Sequence, residues 1–311
     1  MNKFKGFLFG MTASSTFGLL PLFTLPIMSE GLTTNSILCY RMLFASALVA
    51  VLMQVRKIAF RTNLRELLWF AFLGFFYYGS ASLLFQAYGT MSSGMATTLH
   101  FLYPVGVTLI MALVFKQRPS PFTILAIILG LSGVALLSLK EGGGSSSTSL
   151  VGILLVLLSG LSYAAYLVTM NNVRRVRESN NLKLTLYVLI FSALFFLLDT
   201  SLSGGLQMIP SGRALTNLLL LAFLPTLVSN LALVRAVKSI GSTLTSVLGA
   251  MEPLTAIVIG VVVFGEEVTG PMALGILLIL LSVTIIVLSP LLDKNIADRL
   301  SRLSKRPIRR Q

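Results

Sequence analysis

The 311 residues include a single cysteine, a single histidine and a single tryptophan. With Cys39 alone, no intramolecular disulfide can form, and the redox compartment is left unset. His100 has no second histidine to share a metal with, and no His-Glu-x-x-His spacing occurs. The ligand set of a catalytic metal and the nucleophile–base pair of a covalent enzyme are both missing. The reading is therefore of a non-enzyme without cofactor or metal. Charge is scarce as well: 11% of residues are Asp, Glu, Lys or Arg, against 55% hydrophobic. Long polar stretches are lacking, which leaves no room for a separate soluble domain.

What is present is apolar runs. A helix crosses the ~30 Å hydrocarbon core with about 20 apolar residues, and ten such stretches can be marked. They cover residues 4–28, 34–54, 66–88, 94–115, 121–139, 150–170, 183–199, 214–237, 242–264 and 271–290. The net charge of +14 would invite a nucleic-acid reading, but its placement argues otherwise. Threaded with the N-terminus inside, the chain puts 21 of its 24 Lys and Arg on the cytoplasmic side and two outside, with Arg41 inside a span. That is the positive-inside bias of a polytopic membrane protein, and nucleic acid is excluded as a partner. The basic start MNKFKGFLFG precedes an apolar run too long for a signal peptide, so it is read as a retained first helix. An inner (plasma) membrane location with both termini cytoplasmic is expected.

The chain also repeats itself. Ala87–Arg118 and Ala236–Glu267 align at an offset of 149, setting Pro104 on Pro253, Tyr103 on Glu252, His100 on Gly249 and Phe115 on Phe264. The first and sixth spans align at an offset near 146, with Phe17-Gly18 on Tyr163-Ala164. The run GGGSSSTS, the most flexible stretch by composition, splits the ten spans into five and five. Five is odd, so the second set enters the membrane in the opposite direction. The expected fold is all-α, with ten transmembrane helices as two inverted five-helix repeats, residues 1–140 and 150–291. A Gly/Ser linker covers 141–149, and a basic cytoplasmic tail, 292–311, is expected to lie against anionic lipid.

A carboxylate in mid-membrane is costly and faces a bundle interior or a watery cavity. Glu252 is such a group, and Pro253 beside it removes a backbone hydrogen bond. Helical spacing puts Ala96, His100, Tyr103 and Val107 on one face, and Gly241, Thr245, Gly249 and Glu252 on another. On the aromatic third span, Tyr78, Ser82 and Gln86 form the stripe expected to point inward. Arg41 has two readings: snorkelling to the outer headgroups, or turning inward to attract an anionic group or pair with Glu252.

These residues resemble a known family. The run Arg235–Gly241, Met251-Glu252-Pro253, Phe264-Gly265-Glu266 and the Gly-rich segment from Gly270 to Val287 are similar to the EamA-like branch of the drug/metabolite transporter superfamily. The likeness extends over nearly the whole chain. It implies two five-helix repeats with both termini inside, and carriage of small metabolites, commonly export of amino acids or drugs. Its pattern falls here on Glu252, Pro253, Glu266, Pro104 and Arg41. The first half departs from it, with Lys116-Gln117-Arg118 where a Gly-Glu turn would close the fourth span. Glu266 is accordingly expected to act mainly as a cap on the last helix.

The expectation is a secondary transporter working by alternating access, with a pocket near the midplane between the repeats. Tyr78, Tyr103, Tyr163 and Tyr166 would wall it, and Glu252 would bind an ammonium group or a proton. His100, Gln86, Asn230 and Arg41 would complete the substrate site, with Pro104, Pro253 and Gly249 as backbone gating points. The rival reading is a channel-like or lipid-moving membrane protein.

Overall fold

A computed structural model describes residues 3–88, 90, 96, 99–117, 119–138, 150–264 and 270–304. Every regular element among them is helical. The first predicted span is two helices, α1 (Lys3–Phe17) and α2 (Leu20–Ser29), parted at Gly18-Leu19. Next come α3 (Thr34–Val55), α4 (Leu64–Tyr88), α5 (Tyr103–Leu113) and α6 (Pro121–Ser138). The second half has α7 (Leu150–Asn172), the short α8 (Arg174–Glu178), α9 (Asn181–Leu202) and α10 (Gly212–Ala222). A π-helical segment, Phe223–Val228, leads into α11 (Ser229–Ile240), followed by α12 (Ser242–Leu248), α13 (Met251–Phe264) and α14 (Gly270–Ser304). Glu266 and the 141–149 run lie outside the described residues.

Six helical stretches among the described residues are long and apolar enough to cross a membrane: Lys3–Ser29, Thr34–Val55, Leu64–Ala87, Leu150–Asn172, Asn181–Leu202 and Gly212–Ile240. Shorter apolar helices are Tyr103–Leu113, Pro121–Leu136 and Ala273–Ser289. The last helix runs through Pro290 to Ser304 instead of stopping near residue 290. At 1.5 Å per residue its 35 residues reach about 52 Å, well past a ~30 Å hydrocarbon core.

Local chemistry explains the starts and irregularities. Asn180 caps α9 by accepting from Leu182 N at 2.9 Å, and Ser211 caps α10 by accepting from Ala214 N at 3.0 Å. Pro225 cannot donate to the Leu221 carbonyl four residues back. The Thr226 hydroxyl takes that acceptor instead, at 2.8 Å, where the helix widens to π. Pro253 likewise frees the Gly249 carbonyl, which accepts from Glu252 N at 2.9 Å.

Packing brings α1 against α11 and α13, α4 against α7, α5 against α7, α3 against α9, and α6 against α14. Lipid is as apolar as leucine, so helix association in membranes relies on close approach and polar ties. Four buried serines supply such ties across helices. Ser159 donates to Ser80 O (2.5 Å), Ser229 to Ala13 O (2.9 Å), Ser192 to Gly74 O (3.0 Å) and Ser282 to Ala126 O (2.6 Å). Small residues provide the close approach, at Gly18 against Glu252 and Thr255, and at Gly106 against Ala164.

Candidate functional site: a cavity between two broken helices

Two proline-bearing helices are interrupted where they meet. In one, Leu99 and His100 are helical, Phe101-Leu102 form a turn, and α5 restarts at Tyr103-Pro104. In the other, α12 ends at Leu248, Gly249-Ala250 form a turn, and α13 restarts at Met251 with Glu252 and Pro253 in its first turn. Tyr103 is 5% exposed, and its hydroxyl sits where a side chain on Gly249 would be. Only glycine at that turn lets the two breaks touch.

Between the breaks lies a cavity of about 20 Å³, lined among others by Ser14, Phe17, Tyr103, Tyr163, Thr245 and Glu252. That is room for roughly one water molecule. Glu252 is half-buried, and among the described residues no side chain hydrogen-bonds or ion-pairs with its carboxylate. A carboxylate at mid-membrane depth costs about 2.5–3.5 kcal/mol on insertion scales. The positive charge of Arg41 acts on it through space, with no hydrogen bond or ion pair between the two. The Tyr163 ring meets Tyr103 edge-on (4.8 Å, 90°) and stacks on Tyr166 (5.9 Å), which in turn lies 5.4 Å from Tyr77.

His100 stands behind this aromatic wall, 5.7 Å from the Tyr103 ring and 6.1 Å from the Tyr163 ring. Its Nδ1 is 3.1 Å from Ser159 Oγ, whose single hydrogen goes to the Ser80 carbonyl. The serine can therefore only accept from the ring. Nδ1 carries the hydrogen, and in the neutral ring Nε2 is left as an acceptor.

Arg41 is 3% exposed. Its guanidinium donates to Tyr77 Oη at 3.1 Å and lies 5.4 Å over the Phe17 ring, so it turns into the bundle. Asn230, also buried, donates to the same phenol (3.3 Å) and to Thr226 O (2.8 Å). Two sequence-predicted residues stand apart from this group. Tyr78 packs on Phe195 and Phe196 of α9, and Gln86 is exposed, donating to Ser82 Oγ at 3.1 Å.

Tyr77 and Phe17 are the residues that sequence reasoning missed. Phe70, Leu73, Tyr77 and Ser80, spaced by three and four, are the buried face of α4, and that spacing was available as a signal. Phe17 was marked by its alignment with Tyr163. A second, wider cavity of about 440 Å³ lies at the other end of α12. It is lined by Lys3, Gln117, Asn171, Ser242 and Thr243, among others.

An all-helical bundle with an acid at a helix break beside an aromatic cavity is the architecture of a membrane transporter. The EamA-like transporter family model matches residues 4–139 and again 150–288, and the chain belongs to that family. It is thus a multi-pass membrane protein and a transporter. The uncharacterized transporter sll1319 of Synechocystis sp. is 26% identical over 227 residues, covering 71% of this chain and 67% of that protein. The uncharacterized transporter YcxC of Bacillus subtilis is 30% identical over 167 residues, 51% of this chain and 49% of that one. A solved crystal structure superposes with a TM-score of 0.79 over 94% of this chain and 98% of its own, at 19% identity. That likeness speaks for the fold.

Proposed function

We propose that the chain is a secondary transporter moving a small metabolite by alternating access between two inverted five-helix repeats. The repeats are residues 1–140 and 150–291, joined by the 141–149 linker, with ten spans and both termini cytoplasmic in a bacterial inner membrane. The cargo is an amino acid, an organic cation or a drug-like amphiphile, carried outward.

Contacts that exchange under the two sequence offsets support the inverted repeat. An offset of 149 takes Ser80 to Ser229, and one of 146 takes Ala13 to Ser159. The Ser159–Ser80 tie and the Ser229–Ala13 tie are therefore counterparts. The same offsets take the close pair Gly18–Thr255 to Ala164–Gly106, with the glycine on opposite partners. Two copies of one fold meeting around a shared axis would produce this pairing. The family model's two successive matches fit the same division.

One observation carries the mechanism. The small cavity is lined by both counterpart pairs, Phe17 with Tyr163 and Tyr103 with Glu252, so the acid sits on the proposed axis. A site there is equally close to both membrane faces, as alternating access requires. The 440 Å³ cavity beside Lys3, Gln117 and Asn171 lies at the basic ends of the helices. It is read as the cytoplasmic vestibule, with α12 connecting it to Glu252. Glu252 binds the cargo's ammonium group or a proton.

The test is a thermal-shift screen of purified protein against a metabolite panel, followed by flux of any hit in proteoliposomes. Saturable uptake stimulated by counterflow is expected. Unsaturable flux without counterflow belongs to a channel and would refute the reading. An E252Q protein with an unchanged pH dependence of uptake would remove the proton-coupling role.

A further inference from the structure

Arg41 is a buried cation with no ion pair among the described residues, and the charge of Glu252 reaches it only through space. Among the described residues the ion pairs are Arg174–Glu178 and Lys183–Glu66, and neither involves it. Its Nε–H has no acceptor among the described residues. One guanidinium N–H reaches Tyr77 Oη, and a hydrogen from Asn230 Nδ2 reaches the same oxygen. A phenol that accepts twice still has its own hydrogen to give. Around this point, then, stand a full positive charge, an unused guanidinium donor and an unused phenol donor. One aromatic face, one neutral hydrogen bond and a carboxylate acting only at a distance leave part of the cost of burying this cation unmet. An anion at this point would take both unused donors.

Phe17 connects the cluster to the cavity. Its ring lies beneath the guanidinium and also lines the Glu252 cavity. It is the last residue of α1, at the break where Gly18 N bonds Ser14 O and Leu19 N bonds Thr16 O. A side chain at a helix end can swing without unwinding the helix.

We propose that Arg41, Tyr77 and Asn230 form a carboxylate-binding subsite for the transported molecule, with Phe17 as its cover. The assignment rests on the transporter reading above and narrows its cargo. An organic cation lacks the group Arg41 holds, whereas a molecule spanning the subsite and Glu252 carries a carboxylate at one end and an ammonium at the other.

Sodium butyrate, exchanged for sodium chloride at fixed ionic strength, is the probe, with butyramide as its uncharged counterpart. The readout is the Tm of the purified full-length protein. A saturable rise with butyrate and none with butyramide is expected for the wild type. R41Q should show no response, and R41K a weakened one. Y77F, which loses a single hydroxyl and keeps the ring, should need about three- to tenfold more butyrate, the worth of one hydrogen bond. The absence of a butyrate response in the wild type, or an equal one in R41Q, overturns the subsite. So does a pattern in which Y77F responds like the wild type and E252Q reverses the instability of R41Q. That outcome makes Arg41 an internal counter-ion of Glu252. Counterflow separates the two proposals: a butyrate response without counterflow keeps the subsite and removes the carrier, and the converse keeps the carrier and removes the subsite.

Discussion

Gly18→Ala tests a close approach of side-chain space to backbone against a matched control. A Cβ at Gly18 would lie 2.5 Å from the Glu252 carbonyl oxygen and 2.7 Å from Thr255 Cβ. Ordinary contact begins at 3.4 Å, so the helices would have to part by roughly 0.9 Å. The obstructing oxygen is backbone and cannot rotate away. Overpacking of this kind costs about 1–3 kcal/mol, partly offset by the ~0.4–1 kcal/mol that Gly→Ala removes from unfolded-chain entropy. A net loss of about 1–2 kcal/mol follows, a fall of roughly 2–6 °C in Tm. Because the displaced carbonyl belongs to Glu252, flux should fall further than stability, by up to about a hundredfold for a 1 Å misplacement. Gly106→Ala is the control. Its Cβ would meet Ala164 Cβ at 3.2 Å, which a shift of a few tenths of an ångström relieves, so near-wild-type stability is expected. Thr255→Gly added to Gly18→Ala clears the side chain but leaves the carbonyl, and should not restore Tm. The measurement is thermal unfolding in detergent with proteoliposome flux alongside. Equal Tm for the Gly18→Ala and Gly106→Ala proteins would refute the reasoning, as would rescue by Thr255→Gly.

Further outcomes follow from single contacts. Thr226→Val should strand the Leu221 carbonyl beside Pro225 and lower stability by about 1–3 kcal/mol, the cost of a buried unpaired acceptor, read as Tm. Ser159→Ala removes the tie to Ser80 and the acceptor of His100 Nδ1–H. It should cost about 1–3 kcal/mol, and should release the ring to its other tautomer in ¹⁵N spectra of labelled histidine. Lys183→Met breaks a half-shielded pair with Glu66 at 3.5 Å, with a loss of about 1 kcal/mol that shrinks in high salt, checked by melting at two ionic strengths. Tyr78→Phe should leave flux within about twofold, since its ring packs on Phe195 and Phe196 and no transition-state contact is lost.

How far the sequence could be read depends on the signal each feature leaves. Pro104, Pro253 and Pro225 each mark a real irregularity, because a missing N–H acts wherever the residue sits. The cluster of Glu252, Tyr103, Tyr163 and His100 was legible from the cost of polar groups in lipid and from the internal alignment. The inner face of α4 was not. Of its aromatic residues, Phe70 and Tyr77 are buried while Phe72 and Phe75 are exposed. In water a polar outer face would set those two sides apart, but here the outside is as apolar as the inside. The polar neighbours Ser82 and Gln86 therefore favour Tyr78 over Tyr77 in the sequence, against the packing found in the fold. The volume of the cavity was also out of reach, because it depends on where Tyr103 lands on Gly249.

On the proposed axis the counterpart positions have stopped matching where the chemistry is. Tyr103 faces Glu252, Phe17 faces Tyr163, and His100 stands where the other half has Gly249. The glycine and the phenol explain each other: the hydroxyl occupies the space a side chain at 249 would need. An acid at both 103 and 252 would set two carboxylates against each other in the same cavity, and like charges in low dielectric repel strongly. One acid, one phenol and one glycine let the two breaks close on each other and leave a single carboxylate at the centre. The scaffold can then be symmetric, which switching between two faces requires, while its centre is asymmetric, which holding one oriented molecule requires.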